Sequence, residues 1–316
     1  MLTNKFNLPL PLQVWLAGDS YDYVDNPKYI SATSILKPVR QIVLSKRLPE
    51  QDIDISDYIA VNTGTAIHDG IERAWANPKL NLTKLNYPSE FIDKVLVNPK
   101  PEDIKEDSIP VYIEQRAIKE FNGYSIGGKF DFVINGALHD IKTTSVYTYM
   151  NDSHAKDYIL QGSIYKWLNP EIITSNTLTI NFVFTDWSST SAKAKSDYPQ
   201  SRCAFREYPL MSTEEVEAYL RDKLNSVTEN IDKDETDICE CSDEDLWRSE
   251  PVYKYYADPS KLTRATKNFT SLEEAVSYQL SKSGKGVIKT VAGTPRRCLY
   301  CPAYNICSQR RKYFND

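Results

Sequence analysis

The chain has 316 residues, enough for one elaborated domain or two smaller ones with a substantial buried core. It carries 38 Lys and Arg against 43 Asp and Glu, a formal net charge of −5, so nucleic-acid binding has to be sought in the distribution of charge and not in its sum. No apolar run approaches the ~18 residues of a membrane span. The apolar stretch Leu8–Leu16 is broken by Pro9, Pro11 and Gln13 with little positive charge before it, so neither a membrane anchor nor a signal peptide is expected.

Residues 1–60 are Pro-rich and read as an irregular or helical N-terminal segment, with a helix over Ser34–Arg47. That helix is basic through Lys37, Arg40, Lys46 and Arg47. Thr63–Trp75 reads as an amphipathic helix, with Ile67, Ile71 and Trp75 on its apolar stripe and His68 and Glu72 one turn apart. A polar, Asn- and Pro-rich stretch over Asn77–Asp107 follows. Val111–Phe121 and Tyr124–Ile134 read as two strands joined by a turn at Asn122-Gly123, which places Glu114 near the sheet as a candidate accessory acid.

Ile126–Thr144 (IGGKFDFVINGALHDIKTT) is the most informative stretch. Asn135-Gly136 is a strong hairpin signal, because both turn residues must accept positive φ. Counting outward from that turn pairs Ile134 with Ala137 and sets Asp131 opposite Asp140. Lys142, two residues beyond, shares the face of Asp140, whereas His139 points to the other face. Two facing carboxylates repel unless a cation lies between them, and a hard divalent ion that keeps positions for water and phosphate suits the pair. The same count sets Lys129 opposite Lys142, as a contact for a nucleic-acid strand or as charge balance.

Downstream, Tyr158–Leu168 has helical spacing, with Gln161 and Tyr165 four apart on one face. A β-branched strand is expected at Thr177–Thr185, and the Ser/Thr/Lys-rich Thr185–Arg202 reads as a loop. Ser212–Ile231 and Ser271–Leu280 read as helices opened by the capping boxes Ser212/Glu215 and Ser271/Glu274, and Pro251–Ala257 as a strand. Near the C-terminus, Cys298, Cys301 and Cys307 form C-x2-C-x5-C. With no sign of secretion, such a thiolate cluster points to Zn²⁺ or an iron–sulfur centre and not to disulfides. A fourth ligand would come from Cys241, which borders a compact C-terminal segment, or from Cys239 or Cys203. Asp232–Glu250 is acidic, while Lys282–Lys312 holds eight Lys and Arg, Arg296 and Arg297 among them, with no acid. With Lys37, Arg40 and the neighbouring tyrosines, these are candidates to track a phosphate backbone and stack bases, or simply a solvated face.

Asp131 and the Asp140-Ile141-Lys142 triplet resemble the motif of the PD-(D/E)XK nuclease superfamily, with Phe130 in place of the proline of its name. Gln161-x-x-x-Tyr165 resembles the helix motif of its RecB-like branch, and Gly64-x-x-x-His68 the helix whose histidine completes the metal sphere there. The cysteine cluster is similar to that of the AddB nuclease domain, the CRISPR-adaptation iron–sulfur exonucleases and phage-type members. In the first two groups the distant cysteine usually lies N-terminal to the core, whereas no cysteine precedes Cys203 here. Phage nucleases of the branch carry a segment similar to Cys241–Trp247 ahead of the terminal cluster.

The resemblance implies an α/β, restriction-endonuclease-like core over residues 61–185, a mixed central sheet flanked by helices. Residues 186–316 would form a C-terminal region that packs back on the core through a metal-cluster extension. It implies Mg²⁺ or Mn²⁺ held by His68, Asp131, Asp140 and the Ile141 carbonyl, with Lys142, Gln161 and Tyr165 as catalytic partners. It also implies a [4Fe–4S] cluster, or Zn²⁺, on Cys241, Cys298, Cys301 and Cys307. The expected activity is hydrolysis of DNA, most readily as an exonuclease acting on ends in recombination, repair or replication, in the cytoplasm (the host's, for a phage-encoded protein). A structure-specific endonuclease and a non-catalytic DNA- or protein-binding module are the alternatives. The chain has no G-x-x-x-x-G-K-(S/T) nucleotide-binding motif, so unwinding would need a partner helicase, and a recombinase is a further candidate partner.

Overall fold

A computed structural model describes residues 1–19 and 23–314, which divide into two compact units. One comprises Met1–Leu36 and Pro49–Asn225, the other Lys37–Leu48 and Ser226–Asp316. Among the described residues, no helix is long and apolar enough to cross a membrane.

The larger unit is mixed α/β. Its main sheet has six strands in the order Cys203–Pro209, Thr177–Phe184, Ala137–Thr144, Phe132–Ile134, Ile109–Ile113, Val95–Val97. The two long central strands, Ala137–Thr144 and Thr177–Phe184, run parallel, so the chain must cross over between them. It does so through the helices Val146–Asn151 and Ala155–Leu168. The second of these buries Tyr158, Gln161, Ser163, Ile164, Tyr165, Trp167 and Leu168. A helix buried on most of its circumference needs no narrow apolar stripe, so buried polar side chains such as Gln161 and Ser163 are accommodated on it. Leu138, Leu178, Ile180, Phe182, Leu220 and Leu224 complete this core. The helix Ile59–Trp75 belongs to a second, smaller cluster, where Ile71 and Trp75 pack with Phe132, Ile141, Val95, Val111 and Ile113.

The hairpin forms as counted. Asn135 and Gly136 have φ of 48° and 80°, and the pairs Ile134–Ala137, Val133–Leu138 and Phe132–His139 follow. The strands expected over Val111–Phe121 and Tyr124–Ile134 are each broken. Arg116–Phe121 and Tyr124–Lys129 leave the main sheet and join Tyr29–Ser31 in a separate three-stranded one. The breaks lie level with each other, at Glu114-Gln115 and Phe130-Asp131. Glu114 takes a left-handed φ of 53°, its N–H donates to the Asp131 carbonyl at 2.9 Å, and the Phe130 N–H donates to the Gln115 carbonyl at 3.3 Å. The Phe130 ring, fully buried in the main core, anchors the corner.

Other boundaries shift for local reasons. Pro38 removes an N–H and restricts Lys37, so the helix expected over Ser34–Arg47 is confined to Val39–Ser45. The stretch 77–107 contains short helices at Pro78–Lys84 and Ser89–Lys94. The loop expected at Thr185–Arg202 holds a helix, Ser189–Ala194, capped by Ser188. The helix Thr213–Asn230 opens on the expected capping box, Ser212 N–H to Glu215 Oε2 at 2.8 Å and Glu215 N–H to Ser212 Oγ at 3.2 Å.

The smaller unit has a three-stranded antiparallel sheet, Lys267–Phe269, Val252–Tyr256 and Val287–Val291, with the helix Leu272–Ser281 beside it. A separate apolar cluster joins Val43 and Leu44 to Ile238 and Ala303. Short 3₁₀ turns at Arg296–Tyr300, Tyr304–Ile306 and Gln309–Lys312 carry the C-terminal cysteines.

In the larger unit, the backbone at Gly128 packs directly against the Tyr165 ring. A Cβ there would stand 2.7 Å from Tyr165 Cε1 and 2.8 Å from Cδ1, and the ring is buried. Gly128→Ala is therefore expected to destabilise the fold by about 1–3 kcal/mol, as overpacking does. Urea denaturation measures this, and a stability equal to the parent's would contradict the packing described.

Candidate active site

The corner in the paired strands, the Ile59–Trp75 helix and the Ala155–Leu168 helix bring titratable groups together. Asp131 sits just outside the hairpin ladder, so its carboxylate is free to turn, and its Oδ2 accepts the Ile141 N–H at 2.7 Å. Ile141 thus reaches the site through its main chain, while its side chain packs on the other face with Trp75 and Phe132. His68 points in from its helix with Nδ1 3.6 Å from Asp131 Oδ2, too long for a hydrogen bond. Glu114 completes a triplet: one ligand atom from each of His68, Glu114 and Asp131 lies within 4.8 Å of the others.

Asp140 is not part of that triplet. Its carboxylate is 4 % exposed, and Lys142 Nζ lies 2.7 Å from its Oδ2 in an ion pair. Lys142 also donates to Gln161 Oε1 at 3.4 Å, and Gln161 Nε2 donates to the Tyr165 hydroxyl at 2.7 Å, so the three residues form a relay. The Tyr158 ring, one helical turn before Gln161, lies under the ammonium with its centroid 5.8 Å away. Tyr158 was not singled out in the sequence, although its i, i+3 spacing to Gln161 puts it on the same face.

Charge and burial oppose each other here. Burial first, then repulsion from Asp140, holds the Asp131 carboxyl well above the usual range, against the opposing Ile141 hydrogen bond and Lys142. For Lys142, burial works to lower the pKa, but the ion pair with Asp140 outweighs it and keeps the ammonium charged. Burial and the Asp140 charge push the Tyr165 phenol up, so it stays protonated. The Gln161 amide donates to the phenol oxygen, which leaves the phenol proton for another acceptor.

Three sequence expectations change. Glu114, read as accessory, stands with His68 and Asp131, and Asp140 is tied to Lys142 instead. The reason is the left-handed kink at Glu114, which no local pattern announces. Lys129 does not face Lys142: its strand has crossed to the second sheet, where it pairs with Arg116, and its ammonium is in an ion pair with Glu114. Glu72 is exposed on the helix and outside the triplet.

In the smaller unit, Cys241, Cys298, Cys301 and Cys307 line one cavity together with Arg40 and Gln309. Cys239 and Cys203 are exposed and do not line it. Burial, followed by Asp245 and the Cys307 thiol, pushes Cys241 up to about 12. Burial and the neighbouring thiols also raise Cys298, while burial raises Cys301 against the opposing Ala303 hydrogen bond. Gln309 ties the strands of this pocket, accepting the Cys241 N–H at 2.9 Å and donating to the Cys241 carbonyl at 2.8 Å.

Arg40, expected at a DNA-facing surface, is instead 2 % exposed and committed to this pocket. Arg297 is half-buried and stacks 4.4 Å from the Trp247 ring, whereas Lys37 and Arg296 are exposed.

No protein-family model matches the chain, and no curated protein matches it. Among solved structures it is similar to one described as the crystal structure of SSO0001, at 16 % identity and a TM-score of 0.42, over 68 % of this chain and 83 % of that one. It is also similar to a phage-related exonuclease from Haemophilus somnus 129PT, at 14 % identity and a TM-score of 0.29, over 64 % and 92 % respectively.

Replacing one of two repelling buried carboxylates with a neutral isostere relieves the metal-free fold. Asp131→Asn is therefore expected to raise Tm at neutral pH in the presence of a chelator. The gain should shrink as pH falls toward the ordinary Asp range, because the raised carboxyl takes up its proton in the folded state before the unfolded chain does. Thermal melts of both proteins from pH 4 to 8 read this (roughly the span between ordinary and raised carboxyl behaviour). A Tm that falls in the variant at pH 7 would refute the electrostatic account.

Proposed function

We propose that the chain is a metal-dependent deoxyribonuclease of RecB-like type that hydrolyses phosphodiester bonds, most readily as an exonuclease at DNA ends. The observation that carries this reading is the convergence of His68, Glu114 and Asp131 beside the Lys142–Asp140 pair and its Gln161–Tyr165 relay. One imidazole and two carboxylates suit Mg²⁺ or Mn²⁺, which are hard cations. The repulsion that raises Asp131 is what such an ion would relieve. His68, Glu114 and Asp131 would hold it, with Asp140 and the Ile141 carbonyl as further oxygen donors. When bound, a divalent ion would polarise the scissile phosphate, lower the pKa of a bound water and steady the leaving oxygen.

The protein's own groups have distinct tasks in this reading. Lys142, kept charged by Asp140, orients the attacking water and offsets the negative charge that builds on the phosphate. Gln161 fixes the ammonium by accepting from it, and its own orientation is fixed by donation to Tyr165. The protonated Tyr165 hydroxyl is left free to donate to a phosphate oxygen or to Asp140. Lys129 balances Glu114 and is not assigned to the DNA. Exposed Lys37 and Arg296 remain the candidates for contacting a strand, with a helicase or recombinase as a candidate partner.

The four thiols around one cavity support a second, structural centre, which we assign as a [4Fe–4S] cluster on Cys241, Cys298, Cys301 and Cys307, with Zn²⁺ as the alternative. Anaerobically purified protein should be brown with broad visible absorption; colourless protein with stoichiometric zinc selects the alternative.

Removing a donor aimed at developing charge, as at Lys142, costs about 10²–10³-fold in rate, and neutralising a carboxylate that would hold the cation, as at Asp131, removes the cation's own stabilisation of that charge. Asp131→Asn and Lys142→Ala are each expected to lower Mn²⁺-dependent DNA cleavage by at least that factor while circular dichroism stays native. Parent-like cleavage by both variants would falsify the assignment. Comparing linear with closed-circular DNA separates the modes, since an exonuclease leaves the closed circle intact.

A further inference from the structure

Arg40 is the most deeply buried charged side chain of the smaller unit, and it is spent on the thiol cavity. Its Nε donates to Cys307 Sγ at 3.2 Å and its Nη1 to the Ile238 carbonyl at 2.7 Å. Its Nη2 pairs with Glu235 and also donates to Ser308 Oγ at 3.1 Å. The guanidinium therefore faces one sulfur with one arm and one carboxylate with another. A buried cation with a single, partly exposed counter-charge is expensive in a cavity of neutral thiols. It is well placed in a cavity of thiolates, because four thiolates around a divalent or cluster core leave net negative charge that needs an interior cation.

We infer that Arg40 is a positioning residue of the thiol centre, whose N–H donation to Cys307 and fixed positive charge stabilise the thiolate, metal-loaded state. This rests on the four-thiol reading above. Hydrogen bonds to ligating sulfur and charge near the centre set how tightly it is held and at what potential it is reduced. Guanidinium suits the task better than ammonium, because it is permanently charged and its rigid fork can serve the sulfur and Glu235 together. Glu235, which also accepts the Ser308 N–H at 2.8 Å, competes with the centre for the same charge.

That competition yields opposite signs for two substitutions. The full-length parent, Arg40→Gln and Glu235→Gln are purified without oxygen, and iron, sulfide and zinc are counted per chain. Metal release is then followed with bathophenanthroline for iron or pyridylazoresorcinol for zinc. A parent that holds neither metal removes the four-thiol reading itself, before any variant is compared. With metal present, Arg40→Gln should release it at least about tenfold faster, the loss of one charge-assisted hydrogen bond. Glu235→Gln keeps the shape and the acceptor for Ser308 but frees the guanidinium charge, and should release metal more slowly than the parent. A parent-like rate in Arg40→Gln overturns the inference. So does equal or faster release from Glu235→Gln, because a bond that merely braces the chain segments is weakened from either end. The Glu235→Gln result decides alone where Arg40→Gln fails to fold.

Discussion

At one point in the larger unit two strands leave the main sheet together, and that corner places Glu114 and Asp131 among the groups that a strand and two helices supply. The Glu114 N–H bonds to the Asp131 carbonyl, and the Asp131 carboxylate in turn accepts the Ile141 N–H. These two bonds hold the strand ends at the break, so the acids flanking it cannot be swept into the alternating pattern of a regular ladder. Buried backbone groups must find partners wherever a ladder stops. Here the partner of one of them is a functional side chain. Shortening Asp131 would loosen the main chain as well as remove a charge, whereas shortening Glu114 would remove only its ion pair with Lys129.

The charges around the corner form a nearly balanced set. Asp131, Asp140 and Glu114 bring three carboxyl groups, and Lys142 and Lys129 two ammonium groups, with the His68 ring 3.6 Å from Asp131. The pairing is selective: each lysine takes one acid, and Asp131 is left with only a backbone donor at hydrogen-bond distance. Burial first, and then the charge of Asp140, raise the Asp131 carboxyl against that single hydrogen bond and Lys142. Buried ion pairs contribute little net stability by themselves, since desolvation offsets most of the attraction. Of the two pairs only Lys142–Asp140 is largely buried, and its presence in this sheet is easier to account for by chemistry than by stability.

Much of this was legible in the sequence, and the legible parts share a cause. The Asn135-Gly136 turn fixes the register of Phe132–Thr144 through φ requirements that few other residues meet, and the face shared by Asp140 and Lys142 follows from strand periodicity. The spacing of Gln161 and Tyr165 follows likewise from helix periodicity. What could not be read were breaks of pattern. Phe130 continues an apolar alternation, so nothing local marks the end of the Tyr124–Lys129 strand, and Glu114 is not a residue type that favours a left-handed backbone. The error over Lys129 is the same error carried outward, since a register count is valid only while both strands remain in one sheet. Arg40 failed for a different reason: its partners lie about two hundred and more positions away in the chain, and a basic helix looks alike whether it faces solvent or sulfur.

The two charged networks solve one physical problem in opposite ways. In the larger unit an excess of carboxylate surrounds a position that a cation could occupy, and lysines compete for the acids there. In the smaller unit the buried Arg40 guanidinium lies beside the thiols, with Arg297 also lining the cavity and Glu235 competing for the Arg40 charge. Each network carries an internal conflict: burial and the Asp140 charge raise the Asp131 carboxyl, and burial with neighbouring acid and thiols raises Cys241 and Cys298. In the proposed loaded state both conditions would reverse, since a cation relieves repelling carboxylates and thiolates would add to Glu235 as counter-charge for the Arg40 guanidinium. Any group that binds only the folded chain adds its binding free energy to the stability of that chain. In the proposed reading, the electrostatic conflict within each network and the stabilisation that binding would bring are two views of one coupling between the fold and its chemistry.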